Sequence, residues 1–486
     1  MENEYDVVVV GAGISGIGAG AHLNLKCPDQ KYVILEGRES FGGTWDLFKY
    51  PGIRSDSDMH TLGYSFKPWT HKKSIANAPA IMDYLEETID EYELHQHIRY
   101  KHHVETANWS SEESRWIVRV TDKVNNQEIT FKAKLLYMCS GYYKYDHGYE
   151  PKFEGSENFE GQIVHPQKWS DNINYENKEV VVIGSGATAA TIVPELAKKT
   201  KHTTMLQRSP TYFVSAPDED YLANNLRRFI PDRLAYALIR IRNIFFQNFF
   251  FKRARAYPLK TKERILNMIK EELPEKIVDE HFTPSYNPWD QRICLIPNSD
   301  FFESIKAKTS SVVTDHIEKF EEKGIKLKSG KFLPADLIVT ATGLILESFG
   351  GVKMSIDNKP IEASDTYTYR SLMYSGVPNL VSCFGYINAS WTLKADLTSE
   401  YVCRLIKHMK KNDFEIVCPQ FEVNMEESDD FLNGFSSGYL KRAAETQPRQ
   451  GKEKPWVNLQ DYFKDWIDIK FKKLDDGYLK FSKLNK

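Results

Sequence analysis

The chain has 486 residues, enough for about three domains at roughly 150 residues each. Its 64 Lys plus Arg against 67 Asp plus Glu leave a formal net charge of -3, which excludes the basic excess of a dedicated nucleic-acid binder. No run approaches the roughly 20 apolar residues of a membrane span, and the aromatic run at residues 244–251 is closed by Lys252 and Arg253.

The opening residues are acidic (Glu4, Asp6) where a secretory signal is basic. Six cysteines are scattered at 27, 139, 294, 383, 403 and 418, and no two are separated by only two residues. That spacing argues against a disulfide framework, a redox-active Cys-x-x-Cys pair and a zinc ribbon, so a reduced, cytoplasmic chain with no metal site is expected. Aromatic residues make up 13%, which supplies large buried areas and flat faces for planar rings.

In chain order, Tyr5-Asp6-Val7-Val8-Val9-Val10 predicts a strand buried on both faces. Gly11-Ala12-Gly13-Ile14-Ser15-Gly16 follows and opens a helical pattern. Gly11 permits the tight turn, Gly13 lets backbone approach a pyrophosphate, and Gly16 lets helix and strand pack closely. A second strand at residues 32–35 ends in Glu36, twenty residues after Gly16, where an acid binds ribose hydroxyls. Strand, glycines, helix, strand and terminal acid together predict a dinucleotide site, for FAD or NAD.

The pattern recurs with one change. Glu179-Val180-Val181-Val182-Ile183 predicts a buried strand, followed by Gly184-Ser185-Gly186-Ala187-Thr188-Ala189 and a helix. Ala189 stands for the third glycine, an accepted variant. The next strand ends in Gln207-Arg208, and a guanidinium replaces the acid. Arg208 suits a 2′-phosphate by bidentate hydrogen bonding, so this second site reads as one for NADP. Two different dinucleotides in one chain imply hydride traffic between them. Thiol-disulfide reductases share that arrangement but need a cysteine pair beside the flavin. Its absence points to dioxygen or an external acceptor as oxidant.

Between the two turns lies Phe159-Glu160-Gly161-Gln162-Ile163-Val164-His165-Pro166-Gln167-Lys168-Trp169. It resembles the fingerprint of Baeyer–Villiger monooxygenases, F-x-G-x-x-x-H-x-x-x-W, and Trp169 separates it from the N- and S-oxygenating relatives, which usually end in Tyr or Phe. Ser170 stands where Pro or Asp is usual. Gly42-Gly43-Thr44-Trp45-Asp46, Tyr50-Pro51-Gly52-Ile53-Arg54-Ser55-Asp56 and Ala341-Thr342-Gly343 resemble further family segments. Asn287-Pro288-Trp289-Asp290-Gln291-Arg292 and the stretch from Tyr386 to Asp396 resemble those of its ethionamide-activating group. The likeness runs from about residue 4 to at least 465 and is weakest over 218–280.

The resemblance implies an α/β fold with two dinucleotide-binding (Rossmann-like) domains and a helical insertion, holding FAD and NADPH. It implies an enzyme that inserts one oxygen from dioxygen beside a ketone carbonyl, giving an ester or lactone, and also oxygenates thioethers or thioamides. It places Arg292 beside the flavin, where a fixed guanidinium stabilises negative charge, and Asp56 near that arginine. It sets Thr44, Trp45, Asp46 and Leu47 along the flavin, Ser15 at the pyrophosphate, Val104 at the adenine end and Arg54 on the nicotinamide cofactor. His165 is expected to be a hydrogen-bonded linker element. The alternatives are an N/S-oxygenating flavin monooxygenase and a non-catalytic dinucleotide sensor.

The expected domains are 1–145 and 371–486 for FAD, 146–216 and 291–370 for NADP, with the insertion at 217–290. Within the insertion, Phe245, Phe246, Phe249, Phe250 and Phe251 interleave with Arg and Lys on a predicted helix. Packing onto the NADP domain, a substrate-channel wall and weak membrane-surface association are the three readings. The Lys-rich stretch 466–486 is expected to be a solvated closing segment.

Overall fold

The computed structural model describes residues 3–422, 425–428, 434–435 and 437–483. Two sheets, the first mixed and the second parallel, carry the two glycine turns. The first, nine-stranded sheet is centred on Glu4–Val10, flanked by Tyr32–Leu35 and Gln127–Met138, both parallel to it. An antiparallel meander of His102–Ser110, Arg115–Asp122 and Gln127–Met138 widens it. Strand alternation sends Val7 and Val9 into one core and Val8 and Val10 into the other. This burial on both faces explains the unbroken valine run, each side chain contributing roughly 1.5–3 kcal/mol. Val10 pairs with both Leu35 and Met138, so Gly11, Glu36 and Cys139 emerge at one sheet edge.

The second sheet has five parallel strands, in the order Ser310–Thr314, His202–Gln207, Glu179–Ile183, Leu337–Thr340, Gln162–Val164. Val180 and Val182 enter one core, Val181 and Ile183 the other. Ile183 pairs with Leu206 and Thr340, which brings Gly184, Gln207 and Ala341 to one edge.

Three expectations are corrected. Lys353–Ile356 and Lys359–Ile361 belong to the first sheet, through parallel pairing with His102–Ser110, so the chain has left the second domain well before residue 370. Helix Asp232–Ala256 packs on the first domain rather than the NADP domain. Tyr236 joins the first core, and its hydroxyl donates to the Tyr64 carbonyl at 2.9 Å. The physical reason is Arg240: this buried cation finds acceptors only where the His60 and Gly63 carbonyls and Asp396 converge. The following helix, Pro258–Glu272, does pack on the second domain through Ile265 and Ile269. Finally, the C-terminal stretch is not simply solvated. Tyr462–Phe471 buries Asp465, Asp468 and Ile469, and Leu479–Ser482 pairs with Ile416–Pro419. Residues 484–486 of that stretch lie outside the described residues.

Two linkers join the domains, at residues 142–149 and 343–347, and they are bonded to each other. Lys144 donates its backbone N–H to Ile345, Glu347 to Tyr142 and Tyr149 to Gly343, around an antiparallel bridge of Tyr143 with Leu346. His165 adds a hydrogen bond between its Nε2 and the Gly343 carbonyl at 3.2 Å. Its burial lowers its pKa, consistent with a neutral linker imidazole.

Candidate functional site

A cavity of about 1790 Å³ runs between the two sheet edges and is lined from both glycine turns. At the first turn Gly11 has φ +100°, and a Cβ there would lie 2.7 Å from the Cys139 carbonyl oxygen. A Cβ on Gly16 would lie 1.8 Å from the Gly11 carbonyl, so the helix can sit this close only as glycine. At the second turn Gly184 has φ +131°, and its Cβ would meet the Ala341 carbonyl at 2.3 Å, whereas Gly186 faces open space. Helices Ile14–Lys26 and Ala187–Leu196 both begin at a glycine without a side-chain cap or an acidic first turn. Their first N–H groups therefore have no side-chain cap beside the cavity, the arrangement that takes a phosphate.

Glu36 is buried at the first edge, and its carboxylate accepts from the backbone N–H of Ala12 at 2.8 Å and of Arg38 at 2.9 Å. Those bonds fix its direction. Val104 lines the same cavity from the meander. Thr44 and Trp45 lie on the wall, and the Thr44 hydroxyl shares a 2.6 Å hydrogen bond with that of Tyr143. Ser15 also lines it, but its hydroxyl oxygen accepts from Trp391 Nε1 at 2.7 Å. Ile183, Ser185, Ala187 and Thr188 line the second turn. Arg208 is exposed on that side and has no ion-pair partner among the described residues.

Several predicted residues do not reach the cavity wall. Gln207 is buried, and its Nε2 donates to the His281 carbonyl and Thr314 Oγ1. Strand alternation explains this, because one residue points in and the next, Arg208, points out. Gly16 and Ala189 serve packing behind the turns. Asp46 accepts from Arg38 Nη2 at 2.7 Å and Ser40 Oγ at 2.6 Å. Burial works against its charge, but these partners and Lys49 hold it below the usual carboxylate range. Leu47 closes the same short helix and is half-buried. Arg54 lines the cavity, yet its guanidinium is paired with Asp300 of the second domain, Nη2 to Oδ1 at 3.3 Å.

Arg292 and Asp56 come together across 236 residues of sequence, Nη1 to Oδ2 at 3.5 Å. Arg292 Nε is buried and unpartnered among the described residues. Burial opposes its charge, but Tyr439, Asp56 and Tyr142 outweigh that and raise its pKa above the ordinary value. The cation therefore cannot lose its proton. Its loop is fixed by Asp290, which accepts from the Asn287 N–H at 3.0 Å and from Arg255 Nη1 at 3.0 Å.

The wall also contains residues that sequence reasoning missed. Tyr142 stacks on Trp391 at 5.0 Å between centroids, and burial pushes its phenol up to about 12. Tyr143 and Tyr145 continue that wall. Their signal was the position of Tyr142-Tyr143-Lys144-Tyr145 just past the carboxyl end of a parallel strand. Asp58 was missed as well. It accepts from Asn243 at 2.9 Å and Gln247 at 3.0 Å, both on the insertion helix.

The model of the Flavin-binding monooxygenase-like family matches residues 5–283. The chain belongs to that family. Among flavin-binding monooxygenase-like relatives it is 48% identical over 485 residues to the FAD-containing monooxygenase EthA of Mycobacterium tuberculosis, covering 99% of each chain. It is 47% identical over 484 residues to the probable FAD-binding monooxygenase AlmA of an Acinetobacter species, covering 99% of this chain and 97% of that one. The fold matches a steroid monooxygenase bound to NADP (TM-score 0.76, 21% identity, 99% and 100% of the chains). It also matches cyclohexanone monooxygenase bound to ε-caprolactone (0.75, 19%, 99% and 100%). These likenesses fix the architecture as α/β with two Rossmann-type nucleotide-binding domains. No helix among the described residues is long and apolar enough to cross a membrane, and none of their His, Cys, Asp and Glu groups could hold a metal ion.

Proposed function

We propose that this chain is an FAD-containing, NADPH-dependent Baeyer–Villiger monooxygenase. One ketone, one dioxygen, NADPH and a proton give one ester or lactone, water and NADP. Thioethers and thioamides are further substrates. The observation that carries this reading is one cavity joining two glycine turns, with the Arg292–Asp56 pair on its wall. The residues present fit the two nucleotides: uncapped helix starts for the phosphates, a buried Glu36 for ribose hydroxyls, and an unpaired Arg208 for a 2′-phosphate.

FAD bound at the first turn supplies the two-electron chemistry by which NADPH and dioxygen are brought to the substrate. The chain's own residues do the rest. Gly13 and Gly43 face each other closely, and a Cβ on Gly43 would lie 3.1 Å from Gly13 Cα. Arg292 supplies a permanent positive charge that stabilises negative charge developing on oxygen, and Asp56 positions it. Tyr142, stacked on Trp391, lies near that charge on the cavity wall, and water displaced from the wall by bound cofactors and substrate would strengthen the field of the charge.

The test is purified enzyme with NADPH, a simple aliphatic ketone, an amine and a sulfide under isotopically labelled dioxygen. Labelled ester is expected, and product from the amine alone would instead establish N-oxygenation. Arg292→Ala is expected to lower ester formation by about 10²–10³-fold. Unchanged ester formation would remove Arg292 from its assigned role.

A further inference from the structure

The insertion helix Asp232–Ala256 presents two faces with different fates. Tyr236, Arg240 and Ile244 anchor one face on the first domain. On the opposite face Leu234, Leu238, Ile241, Phe245 and Phe249 recur at spacings of three and four and so form one stripe. Each of these, with Phe246 and Phe250 beside them, is between 47% and 62% exposed. A continuous apolar stripe this long is unusual on a free surface and marks a docking site.

Charge says what the stripe docks on. Residues 227–264 hold eleven Lys or Arg against only Asp232 and Glu263, in a chain whose overall formal charge is -3. Some of these cations are engaged, as Arg242 is with Asp220 and Lys252 with Asp461. Arg228, Arg233, Arg253 and Lys260 are exposed and have no ion-pair partner among the described residues. Exposed aromatics flanked by unpaired cations match an anionic bilayer surface, where rings enter the headgroup boundary and cations meet lipid phosphates. A second copy of this chain would bring the same cations against one another.

We infer that the helix Asp232–Ala256 docks this protein peripherally on an anionic lipid surface. The position of the cavity gives docking a purpose. Phe246, Phe250 and Arg253 belong both to this surface and to the wall of the cavity that contains Arg292. The cavity thus opens beside the docked face, and an apolar substrate dissolved in lipid enters without crossing water. That second statement rests on the proposed monooxygenase function. Docking itself does not.

The experiment is flotation of the full-length protein with phosphatidylcholine vesicles, with and without about 30% phosphatidylglycerol. The protein is expected to float with the anionic vesicles and to be released by high salt. Phe245→Ser/Phe249→Ser and Arg228→Glu/Arg233→Glu alter exposed side chains outside the cavity, and each is expected to lower binding about tenfold or more. Circular dichroism and the melting temperature confirm that the variants fold. Absence of flotation overturns the inference, as does flotation indifferent to both variants. A dimer that Phe245→Ser/Phe249→Ser dissociates, seen by sedimentation without vesicle binding, assigns the stripe to self-association and also overturns it. Flotation does not read turnover, so failure of the ketone assay leaves it intact.

Discussion

Replacing Arg240 by Met is the sharpest test of how the insertion is fastened. Its Nη1 donates to the His60 carbonyl at 2.9 Å and the Gly63 carbonyl at 2.6 Å, and Nη2 meets Asp396 Oδ2 at 3.1 Å. Methionine fills much of the volume but removes every donor. Asp396 would keep His22 Nε2 at 3.2 Å and the Ser65 N–H at 2.7 Å, and the His60, Thr61 and Gly63 carbonyls would lose this donor. Removing one member of a buried pair costs about 3–5 kcal/mol, and the remaining partners of Asp396 place this case near 3. The orphaned carbonyls add about 1 kcal/mol each. At about 2–4 °C per kcal/mol for a domain of this size, the melting temperature should fall on the order of 10 °C. Scanning by circular dichroism and tryptophan fluorescence measures it. Arg242→Met, which loses a partly exposed pair with Asp220 and a hydrogen bond to Asn243, should shift it by about 2 °C or less. If the Arg240 and Arg242 variants melt together, the buried guanidinium does not hold the helix as described.

Arg208→Ala should raise KM for NADPH about 10–100-fold while leaving NADH kinetics unchanged, and an equal effect on both would refute the phosphate role. Gly184→Val should abolish NADPH-dependent activity, because its Cβ would sit 2.3 Å from the Ala341 carbonyl at a positive φ. Retained activity would contradict that turn geometry. Asp396 and Asp465 are buried and Asp58 is half-buried, which raises a carboxyl, yet all three lie below their ordinary 3.8, chiefly through His60 for Asp58, His22 for Asp396 and Lys394 for Asp465. Depressed folded values mean that the stability they add is present above about pH 4 and is lost as pH falls through the folded values. Melting temperature should therefore hold steady from neutral to weakly acidic pH and drop below about pH 4, and Asp396→Asn should flatten that drop.

The nucleotide turns were legible in sequence because glycine is required there by the backbone itself. Gly11, Gly16 and Gly184 each leave no space for a Cβ, and the valine runs before them can only be strands buried on both faces. The positions of Glu36 and Arg208 were readable from spacing, as each stands just past the next strand at a fixed distance from its turn. Arg292 and Asp56 lie 236 positions apart, and resemblance rather than spacing brought them together. The Asn243 and Gln247 contacts to Asp58 could not be read, since helix periodicity shows which residues share a face but not which domain that face meets. Arg240 was misleading in the same way: in sequence it looks like one more surface cation among Phe and Arg, and only its buried acceptors reveal it as an anchor. The second domain boundary was placed late because Lys353–Ile356 is a short, partly polar edge strand without the valine pattern of the central ones.

The paired crossings between the domains have a mechanical consequence. Two ribbons are bonded side by side through Lys144–Ile345, Glu347–Tyr142 and Tyr149–Gly343, so each linker holds the other in register. Sliding one linker along the other would break all three bonds at once, so the pair acts as a latch against shear at the seam between the domains.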